Sequence, residues 1–205
     1  MECVNMVDVI RHQCFPTLVH EFKLDLDHDK MLDYVYSTLE AKCGMHQTND
    51  DNLHKLSIFK PLVNKLDLIH KSILQELEYE FDKIEITNMW SNHLNSGESH
   101  PPHIHSNNFL SGVYYLHGGT GGVDTSPIQF FDPRPAASVL SPRNKANWNN
   151  SSMVQFNFVH GIGFIFPAWL QHWVPATHHK RISVSWNVLV RGHYGEPNTF
   201  ENAYI

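Results

Sequence analysis

The chain has 205 residues, 41% of them hydrophobic and 12% aromatic, which is enough apolar material for one folded domain and excludes a disordered or low-complexity chain. The formal charge is −6 with histidine counted neutral, yet 16 histidines against 15 lysines and arginines make that balance sensitive to mild acid. No Lys/Arg-rich stripe runs along the chain, which argues against a nucleic-acid partner, and no apolar run approaches the roughly 18 residues that span a bilayer, which argues against a membrane protein.

Taken from the N-terminus, Met1 to Arg11 carries Glu2 and Asp8 and no basic stretch leading into an apolar one, so no secretory signal is expected. Cys3, Cys14 and Cys43 are odd in number and lack C-x-x-C spacing, the pattern of free thiols in a reducing compartment. A soluble cytoplasmic protein is the expectation. Within Asp29–Cys43, Leu32, Val35, Tyr36 and Leu39 fall at helical spacing and Gly44 follows, which predicts a first helix over that stretch. A second is predicted from about Pro61, a good first-turn residue, because Leu62, Leu66, Ile69, Ile73 and Leu77 recur at steps of three and four. Residues 1–83 hold 15 acids and 9 bases and so carry the whole net charge; we read them as a mainly helical buttress.

At Ile84 the period changes to two, and strands are predicted there and over Phe109 to Leu116, Ile128 to Phe131, Met153 to Phe158, Gly163 to Phe166 and Arg181 to Val190. Gly118–Gly122, Asp132–Pro135 and the Asn-rich stretch 144–150 separate them as loops. Short strands after a helical start give an α+β chain built on a sandwich or small barrel, with no internal repeat and no linker. The expected division of a single domain is 1–83 as buttress, 84–192 as β core and 193–205 as a C-terminal tail.

Four histidines, His93, His100, His103 and His105, fall within thirteen residues. In a strand, positions i and i+2 point to one side, so His103 and His105 can chelate a single ion. By itself H-x-H is weak, because histidines in loops are common. A second element is Gly161 to Pro175, an apolar run that passes through Pro167 into His172 among Trp169, Leu170, Trp173 and Val174. An imidazole in such surroundings needs a partner, either a carbonyl or a metal. Nine residues on, Arg181, Ser183, Ser185 and Asn187 share one face of a strand whose other face is Ile182, Val184, Trp186 and Val188. A guanidinium followed by hydroxyls on one face is suited to a carboxylate. Trp90, Trp169 and Trp173 are candidates to wall a pocket, although strand aromatics are more often core.

Together these residues resemble the double-stranded β-helix Fe(II)/2-oxoglutarate dioxygenases. His103-Ile-His-Ser-Asn-Asn-Phe-Leu-Ser-Gly-Val-Tyr-Tyr-Leu116, Phe130-Phe-Asp-Pro-Arg134, Phe166-Pro-Ala-Trp-Leu-Gln-His172 and Arg181-Ile-Ser-Val-Ser-Trp-Asn187 are similar to the prolyl-hydroxylase-like branch, and to a group of 2-oxoglutarate/iron oxygenases without assigned substrates. The likeness covers roughly residues 84–192. It implies a jelly-roll core, Fe(II), 2-oxoglutarate and O2 as cofactor and co-substrates, and hydroxylation coupled to decarboxylation of 2-oxoglutarate. His103 would be the first iron ligand, His172 the distal one and Arg181 the partner of the co-substrate's C5 carboxylate, assisted by Ser183 or Ser185 and by Tyr115. The chain departs at one position: where most of the superfamily has a carboxylate two residues after the first histidine, it has His105. The acids beyond Ile84 are Glu85, Glu98, Asp124, Asp132, Glu196 and Glu201, none at a motif spacing, so His103, His105 and His172 are the expected triad. Imidazoles without thiolates suit Fe(II) better than a structural zinc site.

Two other readings stay open on the residues alone. One is a metal-dependent cupin without 2-oxoglutarate, supported by Gly97 with five residues between it and His103 but lacking the Glu and the Pro-x-Gly-x-x-His that the cupin motif requires. The other is a non-catalytic jelly-roll binding module. The partner expected is a small-molecule or peptide substrate. His12, His20, His28, His46, His54 and His70 read as ordinary surface or helix residues, and His178 and His179 as turn residues.

Overall fold

The computed structural model describes residues 10, 12–42, 45–117, 127–134, 139–140, 142–143, 145–176 and 178–205. In chain order the elements are β1 (His20–Lys23), α1 (Asp29–Thr38), β2 (Leu39–Lys42), β3 (Met45–Thr48), α2 (Lys60–Glu76), β4 (Lys83–Leu94), β5 (His100–His103), β6 (Leu110–His117), β7 (Ile128–Phe131), β8 (Met153–Phe156), β9 (Ile162–Pro167), β10 (His172–Val174), β11 (Arg181–Arg191), β12 (His193–Tyr194) and β13 (Ala203–Tyr204). Two short 3-10 turns, Leu53–Lys55 and Ser57–Phe59, lead into α2.

Strands β1-β9-β6-β11-β4-β3-β2 form a seven-stranded sheet and β5-β10-β7-β8 a four-stranded one, with every pairing inside both sheets antiparallel. The large sheet is apolar on both faces. Its outer face packs under α1 and α2, where Met31, Val35, Leu62, Leu66 and Leu74 meet Met89, Tyr114, Ile182, Val184 and Trp186 in one continuous core. Its inner face contributes Val113, Tyr115, Phe164 and Phe166 to a second cluster with Ile128, Phe130, Phe158 and Leu170, which joins the two sheets as a jelly roll. Alternation along β11 therefore sends Ile182, Val184, Trp186 and Val188 to the helices and Arg181, Ser183, Ser185 and Asn187 into the barrel. Gly112 on β6 is required by close approach: a Cβ there would collide with the indole ring of Trp186.

The second helix and the strands at 128–131 and 181–191 lie where the periodicity predicts. The first helix is shorter than expected, stopping at Thr38 rather than Cys43. Ser37 and Thr38 both donate back to the carbonyl of Tyr34, which weakens the last turn, and Leu39–Lys42 pairs with β3, itself joined to β4. Strand β1 was not expected at all; it is an edge strand on β9. Cys14 is a free, exposed thiol; Cys3, Cys43 and the 118–122 loop lie outside the described residues, as do Pro135 of the 132–135 loop and residue 144 of the 144–150 stretch. Among the described residues no helix is long and apolar enough to cross a membrane.

Two histidines read as ordinary are structural. His70 is fully buried on α2 and accepts the indole N–H of Trp186 at 3.0 Å. Its Nδ1 has no partner, and burial pushes its pKa down to about 4. His28 is also buried and lies 2.8 Å from the Tyr114 hydroxyl and 3.2 Å from His160 Nε2.

Candidate active site

His103 closes β5 and stands opposite His172, which opens β10. His172 follows a tight turn in which Leu170 N–H donates to Pro167 O at 2.9 Å, so the proline that interrupts the apolar run aims the imidazole inward. His105 is not on the strand. It lies in the loop after β5, and its N–H donates to Ala168 O at 2.9 Å. The H-x-H pair thus converges through an anchored loop rather than through strand alternation. One ring nitrogen from each of His103, His105 and His172 falls within 4.8 Å of the others.

The hydrogen bonds of the outer ring nitrogens set the tautomers. His103 Nδ1 lies 2.8 Å from Pro101 O and His172 Nδ1 lies 2.9 Å from Leu170 O. A carbonyl accepts only, so both Nδ1 atoms carry protons and both Nε2 atoms present lone pairs. His105 Nε2 is 3.3 Å from His172 Nε2, and two nitrogens each about 2.1 Å from one ion are about 3.0–3.4 Å apart. Burial holds all three rings neutral, lowering His172 to about 3 and His105 to about 4, with His103 also lowered. A neutral imidazole is the form that binds a metal.

Beside the triad a small cavity is lined by Trp90, Asn92, Tyr115's neighbour Val113, Arg181, Ser183 and Ser185. Arg181 is 4% exposed and donates to the Tyr115 hydroxyl at 3.2 Å. Its Nε has no partner, and among the described residues no ion pair involves it. A buried guanidinium with an idle N–H and no counter-charge is costly and calls for an anion. Tyr115 is fully buried, which pushes its phenol pKa up, partly opposed by Arg181, so it stays a hydroxyl. Asn92 Nδ2 donates to Ser185 Oγ at 3.0 Å. The three imidazoles and the arginine therefore fit a divalent iron and a dicarboxylate side by side.

All six site residues read from the sequence lie here. Trp90 joins them, its ring 6.0 Å from that of His105, whereas Trp169 is 55% exposed and walls nothing. Trp173 faces away from its neighbour His172, against Phe131. Sequence reasoning left out His100, which lines the cavity and stacks on His103 at 4.2 Å. Its three-residue offset would place it on the opposite face of a regular strand; the register shift in the β5–β10 pairing brings it round. Asp132 and Arg134 pair with each other at the surface and line a larger cavity of about 470 Å³ beside Phe15, Trp148 and Phe156. That cavity contains none of the six residues, whereas five of them line the smaller one and the sixth, Tyr115, is bonded to Arg181.

Residues 88–187 match a family model described as "Putative 2OG-Fe(II) oxygenase". No curated protein matches the sequence. Among solved structures, a Pseudomonas putida prolyl-4-hydroxylase aligns over 86% of this chain and 94% of its own, with 14% identity and a TM-score of 0.61. A Trichoplax adhaerens prolyl hydroxylase, solved in complex with a hypoxia inducible factor oxygen degradation domain peptide, aligns over 83% of each chain, with 12% identity and a TM-score of 0.61. The viral collagen prolyl hydroxylase of Paramecium Bursaria Chlorella virus-1, in its 2-oxoglutarate complex, aligns over 83% of this chain and 94% of its own, with 9% identity and a TM-score of 0.55. Such identities show a common double-stranded β-helix fold. The matched residues run from β4 to β11 and include the three histidines, Tyr115 and Arg181, so the part of the chain that builds the site is similar to the 2OG-Fe(II) oxygenase family, whose members use Fe(II), 2-oxoglutarate and O2.

Proposed function

We propose that the enzyme is a hydroxylase in which His103, His105 and His172 hold the iron, and Arg181, Tyr115 and Ser183 hold the C5 carboxylate of 2-oxoglutarate. Its substrate is a peptide or small molecule. One substrate C–H, O2 and 2-oxoglutarate become an alcohol, succinate and CO2. The observation that carries this assignment is the convergence of three imidazoles next to a buried arginine that has an idle N–H and, among the described residues, no ion pair. Residues 84–192 carry the chemistry, and the helices of 1–83 brace the large sheet.

Each side chain has a definable task. His103, His105 and His172 would each hold the ion through one ring nitrogen, which is Nε2 in His103 and His172. Iron supplies the electron transfers that couple O2 reduction to decarboxylation and C–H oxidation. Arg181 offers two kinds of N–H to a carboxylate, and Tyr115, already bonded to it, is positioned to donate its hydroxyl to the same anion. Ser183 is the nearer assistant, since it follows Arg181 by two residues on the same face of β11 and Ser185 by four. Trp90, Phe166 and Val174 line the same cavity and limit the water that reaches it.

Anaerobic titration of the Fe(II)-loaded protein with 2-oxoglutarate tests the assignment. The expected result is the visible metal-to-ligand charge-transfer band, lost in Arg181→Ala at co-substrate concentrations that saturate the wild type, while the variant keeps its iron. Iron bound without a band in the wild type would refute the assignment.

A further inference from the structure

The third imidazole lies on a loop, and a loop residue needs an external restraint to serve as a ligand. The ends of the loop are tied by main-chain bonds: His105 N–H to Ala168 O at 2.9 Å, Phe109 N–H to Val188 O at 2.8 Å, and Ala168 N–H to Phe109 O at 3.1 Å. Between those ends Asn107 takes the left-handed conformation with φ of 63°, a sharp reversal that most residues disfavour. The remaining restraint on the middle of the loop comes from Asn108. Its amide donates to Ser106 O at 2.9 Å, and its carbonyl accepts from the Thr87 hydroxyl at 2.9 Å.

Thr87 reaches Asn108 because of an irregularity in the sheet. Asn187 faces Asn88 and Val188 faces Ile86, so Thr87 is an extra residue on β4 with no opposite number on β11. A bulge of this kind re-aims the side chain it carries. Directly below it Asn187 donates to Asn88 Oδ1 at 2.9 Å and accepts from the Ser111 hydroxyl at 2.7 Å. Both bonds fix the bulge on the inner face of the sheet, and the main-chain N–H that anchors Phe109 enters at the same irregularity.

We propose that Thr87 and Asn108 form a positioning bracket for His105: the β4 bulge turns the Thr87 hydroxyl onto the Asn108 amide, and that amide holds the turn that presents the imidazole to the metal. The inference rests on the three-histidine reading above. Neither residue touches the ion or the co-substrate, so both act through His105. The bracket supplies from outside the strand the rigidity that a ligand within a strand would have from its ladder.

The test is the affinity of the metal-free full-length protein for Co(II), measured by competition with a chromophoric chelator, together with the thermal midpoint of the metal-free protein. Thr87→Val removes the hydroxyl and keeps the shape; it should weaken Co(II) binding about tenfold, the lower end of what lost outer partners of metal ligands cost. Thr87→Ser should restore binding. Asn108→Ala should give the same loss, and the double variant Thr87→Val/Asn108→Ala no more than either alone, because both belong to one bracket. Metal-free midpoints should stay within about 2 °C, as for other exposed positions. If Thr87→Val and Asn108→Ala bind within about twofold of wild type while His105→Ala loses affinity, the bracket is wrong and the triad stands. If His105→Ala binds as wild type does, the three-histidine reading fails and the bracket with it. A lowered midpoint without rescue by serine would make Thr87 a stability residue and overturn the proposal.

Discussion

The two faces of β11 put opposite demands on the same eleven residues. On the helix side, Ile182, Val184, Trp186 and Val188 are fully buried among apolar neighbours. On the barrel side, Arg181, Ser183 and Asn187 are almost as buried but are polar, and one of them is charged. Burial is therefore not what separates stability from function in this strand; satisfaction is. His70 Nδ1 is a buried polar atom left idle on the helix side of the sheet, and the Arg181 Nε is one left idle on the inner side. The first belongs to a packed core with no room for a ligand, the second to a cavity beside three imidazoles. The stability cost carried by the inner face is the part of the structure that a bound anion relieves.

The sharpest separation comes from one large truncation on each face. Trp186→Ala removes a buried indole that covers Gly112 and bonds His70, and should destabilise the protein by about 3–5 kcal/mol, read as a lower urea midpoint. Arg181→Met should do the reverse. Removing an uncompensated buried charge leaves stability unchanged or raises it, while 2-oxoglutarate binding falls by about 2–5 kcal/mol, roughly 30-fold to several thousand-fold, measured anaerobically by calorimetry. A variant at Arg181 that unfolds without losing co-substrate affinity would dissolve the distinction.

Acid acts on both faces, because burial lowers His103, His105 and His172 as well as His70, and a substitution at His70 isolates the outer one. His70 is neutral in the fold, with its pKa lowered from 6.5 to about 4, so the unfolded chain binds a proton that the folded chain refuses. This contribution to stability is fully present above pH 6.5 and is lost as pH falls towards 4, by about 2 kcal/mol at pH 5. Unfolding midpoints at pH 7.5 and pH 5 should differ less in His70→Gln than in wild type, since glutamine can still accept from Trp186 without titrating. An equal acid slope in both proteins would mean that His70 is charged, or unburied, in the fold.

The same contrast explains what could be read in advance. The two faces of β11 were legible because period-two alternation survives burial on both sides when one side is polar. The first helix was overrun because Glu40, Ala41 and Lys42 have good helix propensity, and only pairing with β3 overrides it. His70 and His28 were read as surface because their partners lie 116 and 86 residues away, Trp186 and Tyr114. Nothing local marks a histidine that will be buried by tertiary packing. His103 and His172 are 69 residues apart by number, and their meeting was legible only through family resemblance. His105 was placed by strand alternation, yet reaches the site by a loop held from β4 and from the turn after β9, a route that no short-range pattern encodes.

The smallest effect tests whether the inner face works as a unit. Tyr115 is the pivot between the cores: it is fully buried beside Phe158, at 4.5 Å between ring centroids, and its hydroxyl is the acceptor that holds Arg181 in place. Tyr115→Phe keeps the ring packing and removes only that hydroxyl, which leaves one N–H of the buried guanidinium without its acceptor, so stability should fall by about 1–2 kcal/mol. Affinity for 2-oxoglutarate should fall by about 1 kcal/mol, roughly fivefold, from one lost hydrogen bond and a looser guanidinium. Metal affinity should not move, because the phenol belongs to the carboxylate end of the cavity. A Tyr115→Phe protein that binds metal more weakly would show that the arginine end and the imidazole end are one coupled network, and the inner face could then no longer be divided into an anion site and an ion site.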